Sequence, residues 1–177
     1  VVLSAGNSGP AVSTSISPAN NPGQLSIGSV DSRFTVSTFS SRGPSACDGR
    51  LFPALVAPGE QVLAADLSFG GMPLYATVAG TSFAAPHVTG AMALLISAVP
   101  TATVQVLESA LKASAVLVEA EETSSQAGAG MIDTLAAYHV VLTVNESGNA
   151  GDEAGTGRRE SLEYHGSLQT LESTYRP

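Results

Sequence analysis

A long segment without charge places the strongest constraint on how this chain folds. Between Asp66 and Glu108 the sequence has no aspartate, glutamate, lysine or arginine. Within that segment a helix is predicted to begin near Thr81 and Ser82 and to end at Val99, because the next residue is a proline. A helix that is apolar on every side is buried, so we expect this one to run through the middle of the domain. Its small residues should pack closely there: Ala84, Ala85, Gly90, Ala91 and Ala93.

On both sides of this helix, short apolar runs alternate with clusters of glycine, proline, serine and asparagine, which is typical of strands joined by ordered loops. The first run, Val1–Leu3, enters a glycine-rich turn and is predicted to be a buried strand of a parallel sheet. Since such a strand has neighbours on each side, we expect an N-terminal portion of the sheet to be missing; the alternative is an edge strand at a true terminus. Further strands are predicted at Leu25–Val30, Gln61–Ala64 and Tyr75–Val78.

A second helix and a change of composition follow the charge-free segment. The helix is predicted to open at Thr101 or Thr103, since threonine is a suitable N-cap. After residue 144 the sequence holds six acids and three arginines and few large apolar side chains. We therefore expect one domain over residues 1–144 and a polar, acidic, flexible tail over residues 145–177. The apolar stripe of the second helix should consist of Val104, Leu107, Leu111 and Ala115.

Composition and charge limit the possible classes of function. The net charge is −8, from 15 acids against 7 bases, which argues against binding to nucleic acid or to anionic lipid. No apolar run approaches the roughly 20 residues that a membrane-spanning helix requires, so no span is expected. A single cysteine, Cys47, excludes an internal disulfide and a cysteine-only zinc site. No acidic cluster identifies a calcium site, so no cofactor is predicted.

The residues from Gly80 to His87 carry the most information about function. Ser82 follows a flexible glycine at the start of the predicted core helix, so its hydroxyl should lie near free backbone N–H groups and the positive end of the helix dipole. That environment suits a nucleophilic serine and a developing oxyanion. From the residues alone, the alternative of a plain N-cap serine stays open.

Five segments, in order, resemble motifs of the subtilisin-like serine proteases, the peptidase S8 or subtilase family. Gly80–Gly90 closely resembles the nucleophile motif, and Ser4–Gly9 is similar to the oxyanion-hole segment. The other segments resemble two further typical stretches and the closing strand and turn: Phe39–Pro44, Leu55–Gly59 and Gly128–Asp133. The resemblance covers about residues 1–140 and implies the C-terminal part of the catalytic domain. The implied fold is α/β, a three-layer parallel sheet with helices on both faces and its N-terminal portion missing.

The resemblance also implies roles for individual residues. Ser82 is then the nucleophile that attacks a peptide carbonyl, and Asn7 donates its side-chain amide to the tetrahedral oxyanion, alongside the backbone N–H of Ser82. Ser4, Ala5 and Gly6 match the strand edge that lines the primary specificity pocket of the family. Proteins or peptides are the implied substrates, and secretion from the cell is the implied location. Calcium is a common structural ion in the family, but no site for it is identifiable here.

The sequence departs from the family in the residues that should activate Ser82. In that family the aspartate and the histidine of the triad precede the serine, and here no histidine stands before Ser82. We therefore expect a missing N-terminal segment to carry both, and we expect no peptide cleavage by these residues alone. His87 and His139 are predicted to be packed, structural histidines. His165 resembles the start of the family's histidine motif, but it follows the serine, so only a permuted enzyme would use it.

Two other classes of function stay open. The first is a non-catalytic remnant of a subtilase that binds peptides or only packs against another chain. The second is a plain α/β binding domain, which leaves Asn7 and Gly80–Ser82 unexplained. Reaction of Ser82 with an active-serine phosphonate, once the upstream segment is restored, separates a protease from a remnant.

Overall fold

Strands and helices alternate along the chain as the sequence predicts. The computed structural model describes residues 1–66, 74–118 and 124–149, the last range with side chains to residue 145. In these ranges the strands are β1 (Val2–Ser4), β2 (Leu25–Val30), β3 (Leu55–Pro58), β4 (Val62–Ala65) and β5 (Tyr75–Val78). The helices are α1 (Thr81–Ala98), α2 (Val104–Ala113), α3 (Ser124–Ala127) and α4 (Thr134–Asn149).

The strands β1, β2 and β3 form a parallel sheet in that order. Their register places Ser4 opposite Ile27, and Ile27 opposite Leu55. Beyond β3, Met131 adds a single parallel bridge to Val56, where a closing strand was predicted. The strands β4 and β5 make an antiparallel hairpin that leads into α1. Because parallel strands end at the same edge of a sheet, the loops after β1 and β3 emerge at the same edge, on either side of β2.

Alternation of side chains along β2 and β3 creates the layers of the fold. Leu25 and Leu55 face the main core, which they share with residues of α1, α2 and α4. Val30 and Val56 face the opposite way and pack with Ala127 of α3. The sheet therefore lies between helices on both faces, which confirms the predicted three-layer α/β fold.

The carboxylate of the half-buried Asp31 holds the turn that follows β2. Asp31 Oδ1 accepts hydrogen bonds from the backbone N–H groups of Arg33 (2.8 Å) and Thr35 (3.0 Å). Burial raises the pKa of the Asp31 carboxyl, but these bonds and the Arg33 side chain outweigh it, so the pKa lies below its ordinary value. The charged carboxylate thus holds the turn that returns the chain to Ser37, whose hydroxyl lies 2.8 Å from Ser29 Oγ.

Helix α1 has nearly the predicted bounds, but only part of its surface is buried. Gly90, Ala93 and Leu94 are exposed, so the prediction of burial on every side is wrong. The reason is that, among the described residues, the sheet and α4 contact only one side of the helix. The buried residues of α1 are Thr81, Ala84, Val88, Ala91, Met92 and Leu95.

By length and composition, α1 is also apolar enough to cross a membrane. It has 18 residues and a mean hydropathy of 1.2, a property that the search for unbroken apolar runs missed. In the structure it packs against all three strands of the parallel sheet. We therefore describe it as the core helix of this fold.

Strand β1 differs from the buried strand that the sequence predicted. Its three residues are half-buried, and within the described ranges it pairs with β2 alone. Hydrophobicity predicted the strand itself, because apolar residues favour a sheet whichever neighbours are present. The apolar residues Val1–Leu3 do not indicate how many strands lie beside β1.

The outer helices confirm some predictions and correct others. Thr103 is the N-cap of α2 and accepts a hydrogen bond from Val106 N–H (3.3 Å), as predicted for one of two threonines. Val104 is 51% exposed and does not belong to the buried stripe that includes Leu107. His139 is exposed, because Ala137 and Val141 form the buried side of α4 and position 139 lies on the opposite side.

Helix α4 ends at Asn149, so its last turn lies in the segment predicted as a tail. The remainder of that segment, residues 150–177, lies outside the described residues, as does His165. The division into a domain and a flexible tail stays a prediction.

Candidate active site

The loop after β1 and the first turn of α1 meet at one point, and Thr81 joins them. Asn7 Oδ1 accepts a hydrogen bond from Thr81 N–H (3.0 Å) and another from the Thr81 hydroxyl (2.8 Å). The oxygen of that hydroxyl accepts a bond from Gly6 N–H (3.2 Å). Thr81 is 1% exposed, so its hydroxyl is shielded from water. Asn7, 74 positions away in sequence, is thereby fixed against the residue that precedes Ser82.

These bonds also determine which way the Asn7 carboxamide faces. A backbone N–H can only donate, so the atom beside Thr81 N–H is the amide oxygen. Nδ2 therefore lies on the other corner of the amide, against Gly80: a Cβ built on Gly80 would be 3.4 Å from Asn7 Nδ2. Gly80 has φ of 149°, a backbone conformation that favours glycine. The arrangement presents the Asn7 NH₂ group as a donor beside the start of α1.

Ser82 is exposed and is the second residue of α1. The neighbouring N–H groups are occupied, since Thr81 N–H binds Asn7 and Phe83 N–H donates to Gly80 O (2.9 Å). In the part of the chain that the structure describes, Ser82 N–H has no acceptor, as expected in a first turn. Ser82 N–H and Asn7 Nδ2 are thus two donors at the positive end of the helix dipole. The structure brings together the predicted Ser82 and Asn7, and their catalytic roles stay predictions.

The segment Phe39–Pro44 holds the Asn7 loop in place. Ser41 N–H donates to Gly6 O (2.9 Å), and Ser41 Oγ accepts from Ser8 N–H (3.1 Å). One serine therefore bonds to the backbone on each side of Asn7. The motif was recognised from the sequence, but this contact was not.

The segment Leu55–Gly59 fixes the entrance of α1. Gly59 O accepts a hydrogen bond from Gly80 N–H (2.7 Å). A Cβ on Gly59 would lie 2.5 Å from Ser29 Oγ and 2.9 Å from Gly80 O, so this close approach requires glycine. The glycine after β3 thus sets the position of the glycine before the helix.

Thr81 and Ser41 are site residues that sequence reasoning missed. Their only signal is their place inside two recognised motifs, because a threonine or a serine in a polar loop is common. Neither the burial of Thr81 nor the partner of its hydroxyl can be derived from neighbouring residues. Both depend on contacts between segments far apart in the chain.

The residues predicted to line the substrate pocket lie directly before Asn7. Ala5 and Gly6 are buried, and Ser4 is half-buried. A Cβ on Gly6 would lie 2.5 Å from Ile16 Cδ1, so the Ile16 side chain packs directly onto Gly6. Ser4 differs from the other two because it lines a groove beside α1. Contact of these three residues with substrate stays a prediction.

The histidines in the described ranges do not reach Ser82 by a hydrogen bond. His87 Nδ1 lies 2.8 Å from Phe83 O, in the backbone of its own helix. It is exposed, so the prediction that it packs inside is wrong, although it is not placed as a base for Ser82. His139 lies on α4, a different element from the site.

A groove with a volume of about 480 Å³ extends along α1 from Ser82. We call it the β1–α1 groove, since one wall is β1 and the other consists of exposed or half-buried positions of α1. Among the described residues that line it, none is charged. Its lining includes Ser82 but neither Asn7 nor Thr81. The α1 residues that line it are Ser82, Ala85, Pro86 and Thr89.

The fold and the site together define a subtilisin-like α/β domain. A model of the subtilase family (peptidase S8) matches residues 1–157, and this chain belongs to that family. It is 32% identical to subtilisin-like protease SBT6.1 of Arabidopsis thaliana, over 80% of this chain and 14% of that protein. Subtilisin DY of Bacillus licheniformis is 34% identical, over 65% of this chain and 39% of that protein.

A solved structure supports the same fold. The prenylagaramide maturation protease PagA matches this chain with a TM-score of 0.66 and 28% identity, covering 78% of this chain and 49% of that one. The chain therefore spans about half of PagA and a smaller share of the two sequence relatives. The predicted family and fold are confirmed.

Proposed function

We propose that this chain carries the nucleophile and the oxyanion donors of a subtilisin-type serine endopeptidase. Membership of the subtilase family supports a peptidase. The observation that carries the finer assignment is the pair of hydrogen bonds, 3.0 and 2.8 Å, that hold Asn7 Oδ1 against Thr81. They leave Nδ2 facing the start of α1, beside the exposed Ser82. Two fixed donors next to a hydroxyl are what a tetrahedral oxyanion requires.

In the proposed reaction, Ser82 Oγ attacks the carbonyl carbon of a peptide bond while a histidine takes its proton. The carbonyl oxygen becomes an oxyanion and accepts hydrogen bonds from Asn7 Nδ2–H and Ser82 N–H. The C–N bond then breaks, and the histidine gives the proton to the leaving amine, so that an acyl group remains on Ser82. Water, deprotonated by the same histidine, attacks this ester and releases the acid product and the serine.

In this proposal the histidine and its aspartate precede Val1 in chain order, because both precede the serine in this family. The described histidines support this, since His87 binds the backbone of its own helix and His139 lies on α4. Without a base the Ser82 proton has no acceptor, and an unactivated hydroxyl is a weak nucleophile. We therefore propose that these residues alone do not cleave peptides.

The proposal is tested by peptide hydrolysis in a fusion that we call the joined protein. In it, the N-terminal half of the subtilisin DY catalytic domain is linked ahead of Val1 and supplies an aspartate and a histidine. We expect casein hydrolysis that Ser82→Ala abolishes. Asn7→Ala should lower kcat by about 10²–10³, the effect of removing one such donor in a subtilisin. Hydrolysis that survives Ser82→Ala, or an equal loss in the matched variant Asn21→Ala, contradicts the assignment.

The second candidate is a non-catalytic member of the family that binds peptides or packs against another chain. The missing hydrogen bond between Ser82 and any described histidine favours it. It predicts no hydrolysis by the joined protein, even when both halves are folded against each other. The Asn7–Thr81 contact is expected under either candidate, so hydrolysis by the joined protein and phosphonate labelling of its Ser82 separate them.

We further propose proteins or peptides as substrates, a location outside the cell, and catalysis without a cofactor. The net charge of −8 supports a partner other than nucleic acid. In the described ranges, no group of three or more His, Cys, Asp or Glu side chains is placed to hold a metal ion. Dialysis of this chain alone against a chelator should leave its urea unfolding curve unchanged, and a shift of that curve to lower urea would contradict the proposal.

A further inference from the structure

We propose that Asn145, in the C-terminal half of α4, is an N-glycosylation site of this chain. The donor is a lipid-diphosphate-linked oligosaccharide, the class of co-reactant from which protein asparagines receive glycans. This inference rests on the proposed location outside the cell, but it depends on neither Ser82 nor Asn7. The sequence, the orientation of the side chain and its place in the fold each support it.

The sequence contains a single acceptor motif. An asparagine is an acceptor when a serine or threonine stands two positions later and the residue between them is not proline. Asn145-Glu146-Ser147 meets this condition. The remaining asparagines do not meet it: Asn7, Asn20, Asn21 and Asn149. A glycan is therefore expected at one defined position.

The Asn145 carboxamide is held by its oxygen. The Thr101 hydroxyl donates a hydrogen bond to Asn145 Oδ1 (3.3 Å), in a surface contact between α4 and the turn after α1. In the part of the chain that the structure describes, Nδ2 has no hydrogen-bond acceptor. A sugar replaces one hydrogen of Nδ2 and leaves Oδ1 unchanged, so the bond to Thr101 and the modification are compatible.

The surroundings of Asn145 are open to water. Thr101 is exposed and Asn145 is half-buried. Val144, its neighbour in α4, is 47% exposed, and Val104, the first residue of α2, is 51% exposed. A glycan is bulky and hydrophilic, so it requires a surface position of this kind. Here it adds a hydrophilic cover beside two valines that face water.

The acceptor lies at the far end of α1 from Ser82. Between Ser82 and Ala98 the helix rises about 24 Å. Thr101 follows that end of α1, and Asn145 is bonded to it. A glycan on Asn145 therefore leaves the approach to Ser82 and Asn7 open, so one molecule can carry the modification and act as a peptidase.

The transfer is a substitution at the anomeric carbon of the donor. Asn145 Nδ2 attacks that carbon, and the hydroxyl of Ser147 is the group by which a transferase recognises the acceptor. The N–C bond forms, the bond from the carbon to the diphosphate oxygen breaks, and the lipid diphosphate leaves. The amide proton passes to a base of the transferase, so no oxidant or reductant is required.

Secretory expression of the whole chain tests the proposal. A cleavable secretion signal is placed ahead of Val1, the chain is produced in human cells, and folded monomer is purified from cells and medium by gel filtration. The intact mass should exceed that of the polypeptide by one oligosaccharide. Digestion with peptide N-glycosidase in water enriched in heavy oxygen should then convert Asn145, and no other asparagine, to labelled aspartate.

Matched variants separate the acceptor motif from its surroundings. Asn145→Gln and Ser147→Ala should each abolish the added mass. Ser147→Thr keeps the hydroxyl and should retain the glycan. Asn149→Gln changes an asparagine of the same helix outside the motif and should also retain it.

Each outcome of this experiment decides the question. Folded monomer without added mass overturns the proposal, as does a glycan that survives Asn145→Gln. A glycan confined to aggregated chain also overturns it, because the folded surface then does not accommodate the modification. Casein hydrolysis by the joined protein is a separate readout: glycosylation without hydrolysis supports the site and rejects the proposed catalysis, and hydrolysis without glycosylation does the reverse.

Discussion

At the scale of single residues, the candidate oxyanion hole depends on Thr81 as well as on Asn7. Asn7 is exposed, and an amide on an exposed loop changes rotamer easily when nothing holds it. Thr81 is buried and binds Asn7 Oδ1 through two donors, while its own hydroxyl is fixed by Gly6 N–H. Donors that are already oriented stabilise an oxyanion without reorganisation. We therefore regard Thr81 as a positioning residue that acts through Asn7.

The substitution Thr81→Val tests this role because it removes the hydroxyl and keeps both the shape and the backbone N–H. In the joined protein we expect kcat for casein peptides to fall about tenfold with KM unchanged, since one of two bonds to Asn7 Oδ1 is lost. Thr81→Ser keeps the hydroxyl and should retain most of the rate. Equal losses in both variants, or a change confined to KM, would show that Thr81 only packs.

Sequence reasoning identified Ser82 and Asn7 because each lies in a distinctive motif, but it could not supply the geometry that orients them. The direction of the Asn7 amide depends on a contact with Thr81, and that contact spans 74 positions. The hydrogen bond from Ser41 N–H to Gly6 O also joins residues far apart in the chain, so no local sequence pattern predicts it. Local sequence predicts which residues are chemically suited to a site, whereas long-range packing determines how they face each other.

At the scale of elements, α1 shows what hydrophobicity predicts and what it leaves open. The proline after Val99 and the glycine before Thr81 give its bounds to within a residue or so. Its uniform apolar composition, however, contains no periodic signal to distinguish Leu95, which is 1% exposed, from Leu94, which is 66% exposed. Only the position of the sheet makes one buried and the other open. The same holds for β1, where the strand was predictable and its place at the edge was not.

Adjacent leucines of α1 therefore offer a matched pair of substitutions. Leu95→Ala should reduce the free energy of unfolding by about 2–5 kcal/mol, because it leaves a cavity in the main core. Leu94→Ala should change it by less than about 0.5 kcal/mol, since that side chain is largely in water. Urea unfolding followed by circular dichroism measures both. Similar losses of unfolding free energy in the two variants would mean that α1 is rotated about its axis relative to its orientation in the structure.

At the scale of the whole molecule, the described residues contain a candidate nucleophile, candidate oxyanion donors and an exposed apolar face of α1. In our account Ser82 and Asn7 belong to a subtilase site whose base lies outside the described residues. The account explains why Ser82 has no histidine partner in the described ranges.

Mass-spectrometric mapping of a fluorophosphonate adduct tests this account most directly. After treatment of the joined protein, we predict one adduct, on Ser82, that forms far more slowly in the unjoined chain and in Asn7→Ala. An adduct on a different serine, or labelling of Ser82 at the same rate with and without the added half, would contradict it.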